Sequence, residues 1–246
     1  MGKKIIYDEN FYLQQYEGSL KSAREILHEI RKVFPQIQSI IDVGCGVGTW
    51  LKAWKEIDNN IRVLGIDGNE VTQSYSFLKS DEYRQANLTD SASSIIKNLD
   101  LGGGGYDLVQ SLEVAEHLDQ QYSKNFITLL TSLSKIVLFS AAIPFQGGVH
   151  HVNEQAPKYW ADLFMERDFF CFDILRDRLW NNTNIDYWYR QNIMLFVHKD
   201  KVGELENLSF APTNHPRYLI APELWEFMAG KTQKKRKIFN FLSKKA

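Results

Sequence analysis

The chain has 246 residues, 44% apolar and 24% charged, which suits one large soluble domain or one domain with decorations. Its net charge of −1 is uneven: residues 231–246 carry seven Lys/Arg and no acid, leaving about −8 on the remainder. A body that acidic speaks against a generic nucleic-acid binder. The two cysteines, Cys45 and Cys171, exclude a disulfide framework and a Cys-x-x-Cys metal site, a pattern expected of a reduced, cytoplasmic protein.

Lys3 and Lys4 lead into Tyr7, Asp8 and Glu9 rather than an apolar core, so no secretory signal is expected. Residues 1–18 read as an aromatic arm (Tyr7, Phe11, Tyr12, Tyr16) able to fold over a pocket. Leu20, Ala23, Ile26, Leu27, Ile30 and Val33 share one face of a helix predicted over Ser19–Val33, ended by Pro35. Residues 1–36 are assigned to this arm and helix.

Ile37–Val43 is the first predicted strand. It ends on Asp42-Val43-Gly44-Cys45-Gly46-Val47-Gly48, and a helix follows over Val47–Ile57. Alternate glycines allow a sharp turn and close backbone approach to a ligand. The spacing is neither the Gly-x-Gly-x-x-Gly of dinucleotide sites nor a Gly-Lys-Ser/Thr phosphate loop. Ile61–Ile66 is the second strand, closing on Asp67-Gly68 one βαβ step later, where an acid at a strand tip can meet a ribose. Tyr83–Leu88 is a weaker third strand containing Asn87-Leu88. Ser91–Leu99 is a short helix, and 101–105 a glycine-rich connector. Tyr106–Gln110, a helix over Gln121–Leu133 and the apolar Ile136–Ala141 complete the alternation, which predicts a parallel sheet covered on both faces. The longest apolar run, Ile136–Phe145, is too short for a bilayer, which needs about 20 residues.

Trp160–Arg167 is a further helix, and Phe170–Leu175 and Ile193–His198 are read as antiparallel final strands. The Asn-, Trp- and Tyr-rich stretch between them, 176–190, is long enough to line a substrate mouth. A domain over 37–200 is therefore followed by an extension, 201–246. Its basic end places Ile238, Phe239, Phe241 and Leu242 among lysines, a pattern compatible with weak contact at an anionic membrane surface.

After the fourth strand, Glu113, Glu116 and His117 fall at i, i+3 and i+4, one face if the segment is helical. Two carboxylates and an imidazole so close are costly unless something positive lies between them; a divalent cation is the simplest candidate, with His117 as a metal-free general base or as a cap of the local helix the alternatives. His150 and His151, after the fifth strand, can supply a further ligand.

The glycine turn with Asp67 resembles motif I of the class I S-adenosylmethionine (SAM) methyltransferases. That resemblance implies an α/β, Rossmann-like fold with a mostly parallel seven-stranded sheet. It implies SAM as cofactor, bordered by Asp42, Gly44, Gly46, Gly48, Thr49, Trp50, Asp67, Gly68, Asn87, Leu88 and Ser111, with Asp67 on the ribose and Asn87 on the adenine amine. Glu-x-x-Glu-His with a later histidine is similar to the metal-dependent O-methyltransferase branch. This implies Glu113, Glu116, His117 and His151 or His150 around Mn, Mg, Fe, Co or Zn, with Glu116, His117 and His151 catalytic. His151-Val152-Asn153-Glu154 favours His151, by likeness to the RNA 3′-terminal 2′-O-methyltransferases. The stretch 150–155 also resembles methyltransferases of bacterial surface-polysaccharide synthesis. The expected acceptor is therefore a small molecule or glycan precursor, with an RNA 3′ end, or a SAM-binding protein without turnover, as the alternatives.

Overall fold

The computed structural model describes residues 9–68, 76–99 and 105–231. The sequence readings on Tyr7, on 101–104 and on the basic end beyond 231 fall outside these residues. Helix α1 (Glu9–Val33) leads to strand β1 (Ser39–Val43), helix α2 (Thr49–Ile57), β2 (Arg62–Asp67) and the short β3 (Tyr83–Gln85). Next come α3 (Ala92–Asn98), β4 (Leu108–Leu112), α4 (Ser123–Leu133), β5 (Ile136–Ser140), α5 (Pro157–Met165) and β6 (Phe169–Phe172). Helices α6 (Arg176–Leu179) and α7 (Tyr187–Asn192), strand β7 (Met194–His198) and α8 (Val202–Glu206) follow.

The seven strands form one sheet in the order β3-β2-β1-β4-β5-β7-β6. β1 pairs in parallel with both β2 and β4, and β5 extends the parallel set. β7 is antiparallel to both β5 and β6, so only β7 runs against the sheet. The two final strands pair antiparallel with each other, as the sequence leads one to expect; residues 176–192 join the end of β6 to the start of β7.

Every residue of β1, β4 and β5 is buried. Among the apolar side chains of these buried strands the period-2 alternation persists. Ile40, Leu108 and Leu138 face a layer made with α1 and α2. Ile41, Val43, Val109, Val137 and Phe139 face the layer made with α3, α4 and α5. Both layers being filled leaves the tips of the parallel strands as the place for a ligand.

Helix α1 begins ten residues before the predicted start. Residues 9–18 lack an apolar stripe, and Gly18 argues against a helix interior. The structure supplies the compensation: a Cβ on Gly18 would sit 2.8 Å from Asp186 Oδ2, so the glycine lets α1 approach the loop before α7. There Ser22 Oγ accepts the Asp186 N–H at 2.9 Å. Residues 9–18 are thus helix rather than arm. The 176–190 stretch also acquires helical turns at both ends, and after α8 the chain returns to the sheet. Thr213 bridges Cys171, Arg217 pairs with Asp173 and Asp177, and residues 222–231 are helical. No helix among the described residues is long and apolar enough to cross a membrane.

Candidate active site

A cavity of about 590 Å³ opens at the strand tips. One wall is the glycine crook. Gly44, Gly46 and Gly48 all have positive φ (85°, 52° and 84°). The Gly44 and Cys45 amides both donate to Ile66 O, tying the crook to the end of β2. A side chain at Gly44 would run into Val114, and one at Gly48 would meet Leu78 Cγ at 2.5 Å. The Gly46 N–H donates to Asp67 Oδ2 at 2.9 Å, so the acid at the tip of β2 also braces the loop.

Beneath the crook, Asp42 is buried and accepts from Gln110 Nε2 at 3.0 Å, while Gln110 Oε1 accepts from Trp54 Nε1 at 2.9 Å. Burial pushes the Asp42 carboxyl up to about 7; the Gln110 bond opposes this and the Asp67 charge adds to it.

The facing wall comes from the ends of β4 and β5. β4 runs to Leu112, and the chain then turns left-handed at Glu113 (φ 56°) before a single 3₁₀ turn, Ala115–His117. The helical face expected for Glu113, Glu116 and His117 is therefore absent, and the two glutamate carboxyls, though near each other, are held differently. Glu113 is fastened by amides: Asn192 Nδ2 donates to both its oxygens at 3.1 and 3.2 Å, and Gln146 Nε2 to Oε2 at 3.1 Å. Burial raises its carboxyl, against these bonds.

Glu116 has no such support. It is fully buried, and both carboxyl oxygens lack a hydrogen-bond partner. The Glu113 carboxyl and the backbone at Ala142 lie nearby without reaching hydrogen-bond geometry. Burial, then the Glu113 charge, holds Glu116 well above the carboxylate range. Burial also lowers His117, with the His151 ring next in effect. One donor atom each from Glu116, His117 and His151 lie within 4.8 Å of one another.

Residues 151–155 strap this turn in place. The Val152 and Asn153 amides both donate to Glu116 O, and Asn153 Nδ2 donates to Ser123 Oγ at 3.1 Å. Glu154 bonds His151 Nδ1 at 3.0 Å and also accepts the Phe145 and Gly147 amides. That leaves His151 Nε2 for the cavity, lying over Gly148, where any Cβ would collide with it.

Of the residues expected at the cofactor, Asp42, Gly44, Gly46, Thr49 and Trp50 line the cavity, as do Glu113, Glu116, His117 and His151. His150 is exposed with φ 62°; it adjoins His117 but is not in the ligand group. Ser111 braces β4 to β1 through Val43 O at 2.8 Å. Asn87 lies past β3, its Oδ1 accepting from the amide and hydroxyl of Thr89. Leu88 packs into the core, and Gly68 is exposed beside Gln85.

The sequence reading missed Gln146, Gln191 and Asn192, which form a buried amide relay. The Ala221 N–H donates to Gln191 Oε1 at 2.7 Å, Gln191 Nε2 to Gln146 Oε1 at 3.0 Å, and Gln146 on to Glu113. An amide hydrogen at one end and a carboxylate at the other fix the direction of every side-chain amide between them. Tyr16, Ser19 and Asp186–Tyr189 close the remaining side of the cavity.

An open sheet in this order, with a glycine crook at the tip of β1 and an acid at the tip of β2, is the class I SAM-dependent methyltransferase fold. The profile of the family described as a methyltransferase domain matches residues 12–177, and the chain belongs to that family. It thus carries a methyltransferase domain over most of its length. No curated protein matches the chain significantly.

Among solved structures, a SAM-dependent methyltransferase from Archaeoglobus fulgidus aligns at 19% identity and TM-score 0.53, over 78% of this chain and all of that one. KedS8, described as a sugar N-methyltransferase from Streptoalloteichus, aligns at 12% identity and TM-score 0.53, over 80% of this chain and 98% of that one. DesVI from Streptomyces venezuelae aligns at 19% identity and TM-score 0.44 over 57% of this chain, which spans only 58% of the length of DesVI.

Proposed function

We propose that the enzyme transfers the SAM methyl group to a hydroxyl oxygen of a small polar acceptor, a sugar or glycan precursor, assisted by a divalent cation at Glu116, His117 and His151. The observation that carries this reading is Glu116. A buried carboxyl with neither oxygen bonded is costly, and its neighbours are two imidazoles within ligand reach. One carboxylate and two ring nitrogens suit Mn²⁺, Fe²⁺, Co²⁺ or Zn²⁺, and Mg²⁺ less well. A cation so held supplies Lewis acidity toward the acceptor hydroxyl.

The chain's own groups supply the rest. Glu154 sets the His151 tautomer, and the 152–153 strap fixes the turn bearing Glu116 and His117. The glycine crook and Asp67 receive the nucleoside half of SAM, and Asp42 is the carboxylate for its ammonium. Tyr187 and Trp188 face the acceptor. The methyl carbon leaves a sulfonium and joins the acceptor oxygen, the C–S bond breaks to a neutral thioether, and the hydroxyl proton passes to solvent water at the open mouth of the cavity. Positioning of this kind is worth about 7–11 kcal/mol of the barrier. A sugar acceptor is in keeping with the description of KedS8.

Methyl-labelled SAM, offered with methyl glycosides, nucleotide sugars and a short RNA, tests the reading. Label on a sugar oxygen, lost in chelator and restored by Mn²⁺, is expected. Label on the RNA 3′ end overturns the acceptor class. Turnover that survives chelation removes the cation and leaves His117 as the base. Bound SAM without turnover on any acceptor makes the chain a non-catalytic SAM binder.

A further inference from the structure

A second cavity, of about 330 Å³, opens at the other end of β2, beside the short edge strand β3. β3 starts only at Tyr83, opposite Gly65, so no strand among the described residues flanks the first half of β2 on that side. The last turn of α2, the start of β2 and the 3₁₀ turn Ser80–Glu82 wall the gap. Arg62 and Asp67 are the two ends of a six-residue strand, which sets this cavity about 16 Å from the glycine crook.

Its walls are basic in a chain whose net charge is −1. Lys55, Arg62, Lys79 and Arg84 line it, against Asp81 and Glu82. Lys55 pairs with Glu82. Among the described residues, Arg62, Lys79 and Arg84 pair with no carboxylate. Both guanidiniums are nonetheless held in place. Arg62 Nη2 donates to Gly105 O at 3.0 Å, and its guanidinium lies 4.1 Å from the Tyr106 ring centre. Arg84 Nη1 donates to the carbonyls of Asp81 and Tyr83 at 3.0 and 2.8 Å. A guanidinium has five N–H groups, so each keeps donors to spare. Tyr106 is 8% exposed, and its hydroxyl bonds no described residue. Burial raises this phenol, and the charges of Arg62 and Arg84 both act against that rise, which places the two guanidiniums near it.

We infer that this cavity binds a phosphoryl group, free or as the monoester of a small molecule, with the Arg62 and Arg84 guanidiniums, Lys79 Nζ and the Tyr106 hydroxyl as its donors. A dianion with three terminal oxygens answers this set better than a carboxylate does. Two planar forks can each take a pair of its oxygens, and an ammonium and a phenol remain for the third. Guanidiniums already fixed by backbone carbonyls lose little freedom on binding. The volume leaves room for one ring beside the phosphoryl group, whereas an extended polyanion would meet Asp81 and Glu82 on the same walls. The site is separate from the cation trio and from the acceptor wall, and stands whichever acceptor the enzyme takes.

Isothermal titration at low salt, where such a site is least screened, is the test. Inorganic phosphate and glucose 1-phosphate are each titrated into the full chain and into Arg84→Gln, Lys79→Gln and Tyr106→Phe, with and without saturating S-adenosylhomocysteine. We expect saturable binding at one site, about tenfold weaker in Arg84→Gln and about threefold weaker in each of the other two. Affinity for S-adenosylhomocysteine stays within twofold of wild type throughout, and its presence leaves phosphate binding unchanged. Lys79 is exposed, so its variant remains informative if another unfolds. Tighter binding of glucose 1-phosphate supports a sugar monoester as the ligand; equal affinities support phosphate itself. No binding of either probe to wild type, equal binding in all variants, or displacement of the probe by S-adenosylhomocysteine overturns the inference.

Discussion

Replacing Glu116 by methionine separates what this residue does for the fold from what it does for chemistry. Methionine matches the reach of glutamate and removes two buried oxygens that no donor satisfies. Each unsatisfied buried polar group costs about 1–3 kcal/mol, and exchange for an apolar group of similar shape is often stabilising. We expect Glu116→Met to be more stable than wild type in chelator by about 1–3 kcal/mol. For a chain of this size that is roughly 2–12 °C in Tm.

The pH dependence has a defined sign. The folded state raises the Glu116 carboxyl well above its ordinary value, so folded protein keeps a proton that unfolded chain releases. That stabilisation is complete below the unfolded pKa and is lost as pH rises through the folded one. Wild type therefore loses more stability than the variant between acid and mildly alkaline pH. Adding Mn²⁺ should reverse the ranking, since a ligand at about 1,000 times its Kd contributes about 4.1 kcal/mol to wild type and nothing to the variant. Scanning calorimetry at three pH values, with chelator and with Mn²⁺, measures all of this. A variant less stable than wild type in chelator, at every pH, would falsify the reasoning.

Gly44→Ala places a Cβ against Val114 at a φ of 85°. At least 1–2 kcal/mol of left-handed strain plus the clash should lower Tm and abolish S-adenosylhomocysteine binding; unchanged titration would count against the crook as cofactor wall. Gln191→Met leaves the buried Ala221 N–H without an acceptor and removes one of the donors to Gln146 Oε1, which keeps Asn192 Nδ2. A loss of about 1–3 kcal/mol is expected in urea titration, and an unchanged midpoint would mean the relay carries no weight. Asp42, held near 7, must ionise to receive an ammonium group. Affinity for S-adenosylhomocysteine should rise about tenfold from pH 6 to pH 8, flat in Asp42→Asn; a flat wild-type profile refutes the pairing.

The sheet was legible because burial on both faces leaves short apolar runs, and because the glycine crook and Asp67 mark two strand tips. Glu116, His117 and His151 were legible as a group, although the helical face expected for Glu113, Glu116 and His117 does not exist. A strand that continues to Leu112 and a left-handed residue at Glu113 achieve the same convergence by another route. The helical start of α1 was not legible, because Gly18 is explained only by its approach to Asp186, 168 positions away. Gln146, Gln191 and Asn192 were invisible for a related reason. Neutral amides form no motif, and their partners lie 33–79 residues distant. His151 could be preferred to His150 only by likeness of the 151–154 phrase; the structure supplies the physical ground, Glu154 orienting one ring while the other is exposed.

Mn²⁺ binding followed by electron paramagnetic resonance tests the cation site most directly. One ion per wild-type chain is predicted, with binding lost in Glu116→Met and in His151→Ala while S-adenosylhomocysteine affinity holds. Full Mn²⁺ occupancy in both variants, or none in wild type, would contradict it.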